Sequence, residues 1–258
     1  MTRTHSFEGI DNFRDFGGFG TTCGRGMKIG VLYRSANHAY ATDGDLAALR
    51  DLGVMVIVDL RRLRERDREP SRRWPGFAGS VIENDLPGTY EDWADGLVAA
   101  ASIDAEWFRQ DSLEFYRKAP YEVRHIDLFR RYFKALAETE GAVVVHCAAG
   151  KDRTGLICAL THHIAGVHRD DTLADYLATN NPVMIARRVE FLGPYIKDLT
   201  GRTVNDEALR VATTVHESYL ETAMTRIAME HGSLDHYLAD ALGVDADLRR
   251  KLEHRILA

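Results

Sequence analysis

Cysteine is scarce in this sequence. Three residues in 258 exclude a disulfide-stapled scaffold, and the odd number fits thiols kept reduced in a cytosol. Proline is scarce too, with 6 residues, and no Pro/Ser-rich linker, low-complexity tract or internal repeat interrupts the chain. A single domain over residues 1–258 is therefore expected. No apolar run approaches the roughly 20 residues that span a bilayer. Positive charge is not in excess: 33 Lys+Arg against 39 Asp+Glu give a net charge of −6. That removes the global basic field that nucleic acid or an anionic lipid surface would require. The start, Met1-Thr2-Arg3-Thr4-His5-Ser6, lacks the apolar core of a signal peptide, so a cytoplasmic chain is expected. What remains, 45% hydrophobic and 28% charged, is the composition of an ordinary globular protein.

The patterning alternates strands with helices. Val31-Leu32-Tyr33-Arg34 reads as a short strand. Thr42 reads as an N-cap with Asp45 in the capping-box position, ahead of a Leu46/Leu49/Leu52 stripe closed by Gly53. The apolar run Val54 to Leu60 predicts a strand buried on both faces, and Ser80 to Asn84 a weaker one. Ile126, Phe129, Phe133 and Leu136 keep helical spacing, with Gly141 as the stop. Val143-Val144-Val145 predicts a buried strand, followed by a helix through Leu156, Ile157, Leu160 and Ile164 that ends at Gly166. The C-terminal third reads as helical: Leu173/Tyr176/Leu177, Val215 to Met229, a helix capped by Ser233, and Leu248/Leu252/Ile256. The expected fold is α/β, a central mostly parallel sheet flanked by helices, with a helical C-terminal part.

One loop carries chemistry. His146-Cys147-Ala148-Ala149-Gly150-Lys151-Asp152-Arg153-Thr154-Gly155 lies between a predicted strand and a predicted helix. A helix start offers unpaired N–H groups and the positive end of the dipole, a ready site for an anion. A cysteine at the head of such a loop should have a lowered pKa, and its thiolate is a nucleophile. Arg153 can grip two phosphoryl oxygens at once, which a lysine cannot. Residues 148–153 would wrap the phosphate, with Gly150 and Gly155 letting the backbone curl close to it. The Thr154 hydroxyl can donate to the sulfur as it leaves, and His146 would orient the loop. A bare Cys-x5-Arg is weak; the full string in a strand–loop–helix context is specific. Gly150-Lys151 lacks the upstream glycine spacing of a nucleotide-binding loop.

This loop resembles the signature of cysteine-dependent protein tyrosine and dual-specificity phosphatases. Gly-Lys-Asp-Arg-Thr-Gly is similar to the bacterial subgroup typified by the mycobacterial secreted tyrosine phosphatase B and the Listeria lipid phosphatase. The resemblance extends through Asn12 to Gly18, Leu32 to Ser35, Val58 to Arg61, Asp175-Tyr176-Leu177 and Gly232 to Gly243. It implies one phosphatase domain, hydrolysis through a cysteinyl-phosphate, and a phosphorylated protein or a phosphoinositide as substrate. A rival of another class is a phosphate-binding module without turnover, which the complete Cys147/Arg153/Thr154 set argues against. No cofactor is expected, and the 11 histidines form no HExxH or Cys/His zinc pattern, so no metal is expected either. The oligomeric state is not encoded in the pattern.

Ordinary tyrosine phosphatases carry the leaving-group acid on a Trp-Pro-Asp loop. Here Trp74-Pro75-Gly76 has glycine in that place and reads as a turn. Asp152, inside the loop, is the first choice as acid, Asp59 at a strand end the second, and Asp85 the third. Lys151 reads either as a counter-charge for a second phosphate or as a solvated lysine. Residues 61–73, with seven arginines against three acids, read as a salt-bridged solvated helix face in preference to a lipid-binding patch. Arg14, Asp15 and Arg34 read as pocket rim by resemblance, or as a structural ion pair. Cys158 reads as core and Cys23 as an exposed thiol. Residues 87–124, aromatic among acids, read either as a lid insertion over the pocket or as a peripheral helical layer.

Overall fold

The computed structural model describes residues 5–90 and 92–258; the amino-terminal reading over Met1–Thr4 lies outside the described residues. Five strands form one sheet in the order β1-β2-β5-β3-β4: β1 (Arg14–Asp15), β2 (Leu32–Ser35), β3 (Val54–Asp59), β4 (Ser80–Ile82) and β5 (Ala142–His146). The four strands β2, β5, β3 and β4 are parallel, and β1 closes one edge antiparallel to β2. Strand β5 is the central one, between β2 and β3, so the loop that leaves its carboxyl end opens where α/β sheets gather ligands.

Alternation along β5 explains why it is central. Val143 and Val145 enter the larger core with Leu32, Val56 and Val58, while Ala142 and Val144 enter a second core on the other face. Helix α1 (Asp43–Asp51) covers that second face through Leu46 and Leu49. The larger face is covered chiefly by α5 (Val123–Glu138), α6 (Asp152–Ala165) and the C-terminal helices α10 (Glu217–His231), α11 (Leu234–Asp240) and α12 (Ala246–Ile256). On α5, Leu128, Phe129, Tyr132, Phe133 and Leu136 are all fully buried, the stripe of an amphipathic helix on a sheet.

The remaining helices are α2 (Leu63–Arg68), α3 (Trp93–Ala99), α4 (Ala105–Lys118), α7 (Arg169–Leu177), α8 (Pro182–Thr200) and α9 (Asp206–Thr213). Within residues 87–124, α4 reaches the main core at its carboxyl-terminal end through Tyr116, with Leu113 and Phe115 against it, whereas α3 and the start of α4 pack elsewhere. Leu97, Ala105 and Phe108 pack with Ile196, Leu209 and Ala208 of α8 and α9 in a third apolar cluster.

Three expectations need correction. Helix α5 ends at Glu138 with Thr139 as its cap, so Gly141 does not stop it. A Cβ at Gly141 would come 2.2 Å from Met55 Cγ, so this glycine admits a neighbouring side chain. Met55 itself is 44% exposed, at a register irregularity between Val54 and Val56, so β3 is not buried throughout on both faces. Helices α8 and α9 escaped the periodicity because their apolar residues are mostly half-buried. Their ends were nonetheless signalled by Asn181-Pro182 and Gly201 for α8 and by Asn205 for α9. No helix among the described residues is long and apolar enough to cross a membrane.

Thr42 and Asp45 form the expected capping box at α1. Asp45 also accepts the backbone N–H groups of Glu8 (2.9 Å) and Gly9 (2.8 Å), tying the amino-terminal segment to α1. Replacing Thr42 by Ala is expected to cost about 1 kcal/mol. Asp45→Ala strands three donors and is expected to cost about 2–4 kcal/mol, read as the difference between the two variants in urea unfolding.

Candidate active site

Strand β5 ends at His146, and the loop Cys147 to Lys151 leads directly into the first turn of α6. Its carbonyls are gripped from outside by side chains from four other segments. Asn12 Nδ2 donates to Gly150 O (2.8 Å) and Ala149 O (3.2 Å), and Arg34 Nη2 donates to Gly150 O (2.9 Å). Arg188 Nη2 donates to Ala149 O (2.9 Å), and Asn37 donates to Ala148 O through both its backbone N–H (3.1 Å) and Nδ2 (3.2 Å). With the carbonyls satisfied on that side, the amides near the α6 start remain as donors for an anion. Gly150 has φ +65°, and a Cβ there would lie 2.3 Å from Ser35 O, so neither backbone conformation nor space admits a larger residue. Asn12, the one non-glycine residue at positive φ among those described (58°), holds its conformation through this grip and through Arg14 Nη1, which donates to Asn12 Oδ1 at 2.5 Å.

Behind the loop stands a buried triad. Arg34 Nη1 and Arg14 Nε bind the two oxygens of Asp175 at 2.7 and 3.0 Å. Of the two readings of Arg14 and Arg34, the structural ion pair is the one found, with Asp175 of α7 as the anion. Asp15 has a different task, accepting from the backbone of Gly17 (2.7 Å) and Gly30 (2.5 Å).

Arg153 projects from the first turn of α6 and is held by Glu65 of α2. Nη1 meets Oε2 at 2.6 Å, Nη2 meets Oε1 at 2.7 Å, and Nη1 also donates to Leu60 O at 3.2 Å. A guanidinium has five N–H groups. The pairing with Glu65 and Leu60 occupies its far end and leaves the Nε–Nη2 edge, a two-pronged fork suited to two phosphoryl oxygens. Burial opposes the charge on Arg153, but the charge and hydrogen bonds of Glu65 outweigh it and hold the guanidinium well above its ordinary pKa. Burial would likewise raise the Glu65 carboxyl, yet Arg153 pulls it down to about 2. Glu65 went unseen in the sequence, where it sits inside the arginine-rich run at the third helical position; its backbone contact with Arg62 N (2.8 Å) was the available capping signal.

Cys147 is 3% exposed at the base of the loop. Thr154 Oγ1 is buried with no hydrogen-bond partner among the described residues, leaving a hydroxyl proton uncommitted there. His146 is fully buried beneath the loop, stacked on His38 with ring centroids 4.5 Å apart and 3.7 Å from Asp59. Burial, the largest influence, pushes both imidazoles below their ordinary pKa. His146 is thus a packing element under the loop.

A cavity of about 620 Å³ opens over the loop, lined by Ala148, Ala149, Lys151, Asp152 and Arg153 at its floor. Helices α2, α4 and α8 and the segment around Trp93 form its walls, so residues 87–124 do cover one side of it. Lys151 Nζ lies 2.9 and 2.8 Å from the two oxygens of Asp152, and Tyr116 of α4 donates to Asp152 Oδ1 at 3.3 Å. Tyr116 and Tyr176 hydroxyls are 2.7 Å apart, linking α4 to α7 behind that carboxylate.

The second- and third-choice acids are placed elsewhere. Asp59 is buried behind the loop with both oxygens on Arg61 (2.7 Å to Nη2, 2.9 Å to Nε). Although burial would raise its carboxyl, His146 and Arg61 together hold it far below the usual range, and it is not among the residues that line the cavity. Asp85 is exposed and paired with Arg66, away from the cavity. The arginine-rich run also differs from the solvated face expected of it. Arg61 is buried on Asp59, and Arg62, Arg64 and Arg68 line the cavity wall; only part of the run, such as Arg72 with Asp43, is a surface ion pair. Cys158 is core, its thiol pushed up to about 12 by burial. No cluster of three or more metal-ligating side chains occurs among the described residues.

A deep cleft at the carboxyl end of a parallel sheet, floored by a Cys-x5-Arg loop with a braced guanidinium, is the architecture of an enzyme that handles phosphate esters. Residues 5–258 match the tyrosine phosphatase family, and the chain belongs to it. A protein of Cupriavidus necator that bears the name of a tyrosine-protein phosphatase is 34% identical over 248 residues, 95% of this chain and 86% of the relative. The triple specificity protein phosphatase PtpB of Mycobacterium tuberculosis is 30% identical over 266 residues, 90% of this chain and 92% of PtpB.

Glu65→Gln is expected to release Arg153 and lower kcat about 10- to 100-fold, since small misplacement of a phosphate clamp is costly. Because the folded Glu65 value, about 2, lies below its ordinary 4.5, the pairing stabilises the fold above that pH and loses its contribution as pH falls toward 2. Stability measured against pH should therefore decline less steeply across that window in Glu65→Gln than in the wild type.

Proposed function

We propose that the protein removes phosphate from phosphotyrosine through a covalent phosphocysteine on Cys147. The observation that carries this reading is the Nε–Nη2 fork of Arg153, without a partner among the described residues and braced by Glu65 over a loop whose Ala148, Ala149 and Gly150 carbonyls are held from outside. In the first half-reaction the Cys147 thiolate attacks phosphorus as the ester P–O bond breaks, and the amides of residues 148–153 with Arg153 hold the three equatorial oxygens. Asp152, at the cavity floor beside Tyr116, gives its proton to the leaving oxygen. In the second half-reaction Asp152 takes a proton from the attacking water, the P–S bond breaks, and the uncommitted Thr154 hydroxyl stabilises the departing thiolate.

A second reading, with a phosphoinositide as substrate, is supported by Lys151 in the loop and by Arg62, Arg64, Arg68 and Arg187 around the same cavity, cations suited to a further phosphate. Comparing kcat/KM on a phosphotyrosine peptide, a phosphoserine peptide and monophosphorylated inositol lipids ranks the two.

Cys147→Ser is expected to lose turnover by about 10⁴-fold or more while still binding inorganic phosphate; full activity in that variant refutes the mechanism. Asp152→Asn should depress turnover of an alkyl phosphate about 100-fold more than that of an aryl phosphate, because a phenol leaves without much help. Equal loss on both esters would remove Asp152 from the acid role.

A further inference from the structure

The carboxylates that line the cavity are, with one exception, committed. Glu65 is bound to Arg153, Asp152 to Lys151, Asp11 to Arg187 (3.1 Å), Asp92 to Arg62 (3.3 Å), and Glu114 to Lys118 (2.9 Å). Glu69 accepts from Asn37 at 3.3 Å. Asp111, halfway along α4, lines the same cavity half-buried and has neither a hydrogen bond nor an ion pair among the described residues. A partly desolvated carboxylate without a protein partner faces whatever enters the pocket, so its charge acts on the ligand.

Its surroundings define what it can sense. Across the cavity, α2 contributes Arg62, Arg64 and Arg68, and α8 contributes Arg187 and Arg188. From the phosphate loop, Lys151 and Asp152 face Asp111, and Lys118 and Glu114 share its own helix. Arg62, Arg64 and Arg187 are already paired with Asp92, Asp95 and Asp11, so Asp111 on the α4 side is the cavity carboxylate left without a hydrogen bond or ion pair among the described residues.

Building on the phosphomonoesterase reading, we propose that Asp111 is a charge-selecting residue of the pocket. It disfavours substrates that bring a second anionic group to the α4 side of the scissile phosphate and accepts a hydrogen-bond donor there. Selection of this kind acts on the substrate flank and leaves the chemistry at phosphorus alone. Burial pushes the Asp111 carboxyl up to about 6, against the pull of Lys151 and Lys118 and with the push of Asp152. Selection is thus strongest above that pH and fades below it.

The test uses phosphotyrosine peptides that differ at one position, Ala or Glu, placed either before or after the phosphotyrosine. In Asp111→Asn, the Glu/Ala ratio of kcat/KM should rise about three- to tenfold in one placement, the range expected for a single charge at pocket distances. Asp111→Glu should keep the wild-type ratio. In the wild type the ratio should climb as pH is lowered through the Asp111 value, while in the Asn variant it stays flat. Because Asp111 makes no hydrogen bond among the described residues, the Asn variant should fold, and the Glu/Ala ratio is read within each protein. A ratio unchanged in both placements, or the same pH dependence in both proteins, overturns the proposal. Failure of the wild type to hydrolyse any of the peptides would instead overturn the phosphotyrosine reading beneath it.

Discussion

The organisation of this protein depends on how the carbonyl groups of one five-residue loop are satisfied. A peptide unit that points its oxygen outward points its N–H the other way, so an anion site made of amides exists only while something holds the oxygens. Here Asn12, Arg34, Asn37 and Arg188 do so, from the amino-terminal segment, the end of β2, the turn after it, and α8. Three stretches of chain far apart in sequence, around Asn12, Arg34 to Asn37 and Arg188, converge on one turn of backbone.

The cost is a set of charges taken out of water. Arg34 and Asp175 are almost wholly buried, Arg14 nearly so, and Asp59 with Arg61 forms a second buried pair beneath His146. Buried ion pairs contribute little net stability, since desolvation offsets attraction. Their value here is geometric. The Asp175 carboxylate binds both arginines, Arg34 holds Gly150, and Arg14 holds Asn12, so the loop is braced from behind. Glu65 repeats the device for Arg153, taking the end of the guanidinium that phosphate does not need.

Over this rigid floor the walls are built separately. The third apolar cluster joins α3 and α4 to α8 and α9 without merging into the sheet core. Polar contacts bind it to the floor and to α2: Tyr116 to Asp152, Arg62 to Asp92, Arg64 to Asp95 at 3.1 Å, and Arg68 to the Tyr195 hydroxyl at 2.7 Å. A pocket whose floor is one loop and whose walls come from other helices can keep one chemistry while its walls decide which substrate flanks are admitted.

Local signals were enough for much of this. The apolar strand runs, the Thr42/Asp45 box, the Gly166 stop and the Ser233 cap are encoded within a few residues of where they act, and so is the Cys147-to-Arg153 string, because a phosphate loop is a local turn of backbone. What sequence could not supply were partnerships across long separations. Asp59 looked like an acid until Arg61 and the loop were seen in front of it; Asp175 looked like a helix residue, and Glu65 like one charge among many. The ionisation and accessibility of a carboxyl group depend on what stands within a few ångströms of it. Only the folded chain decides which residues those are.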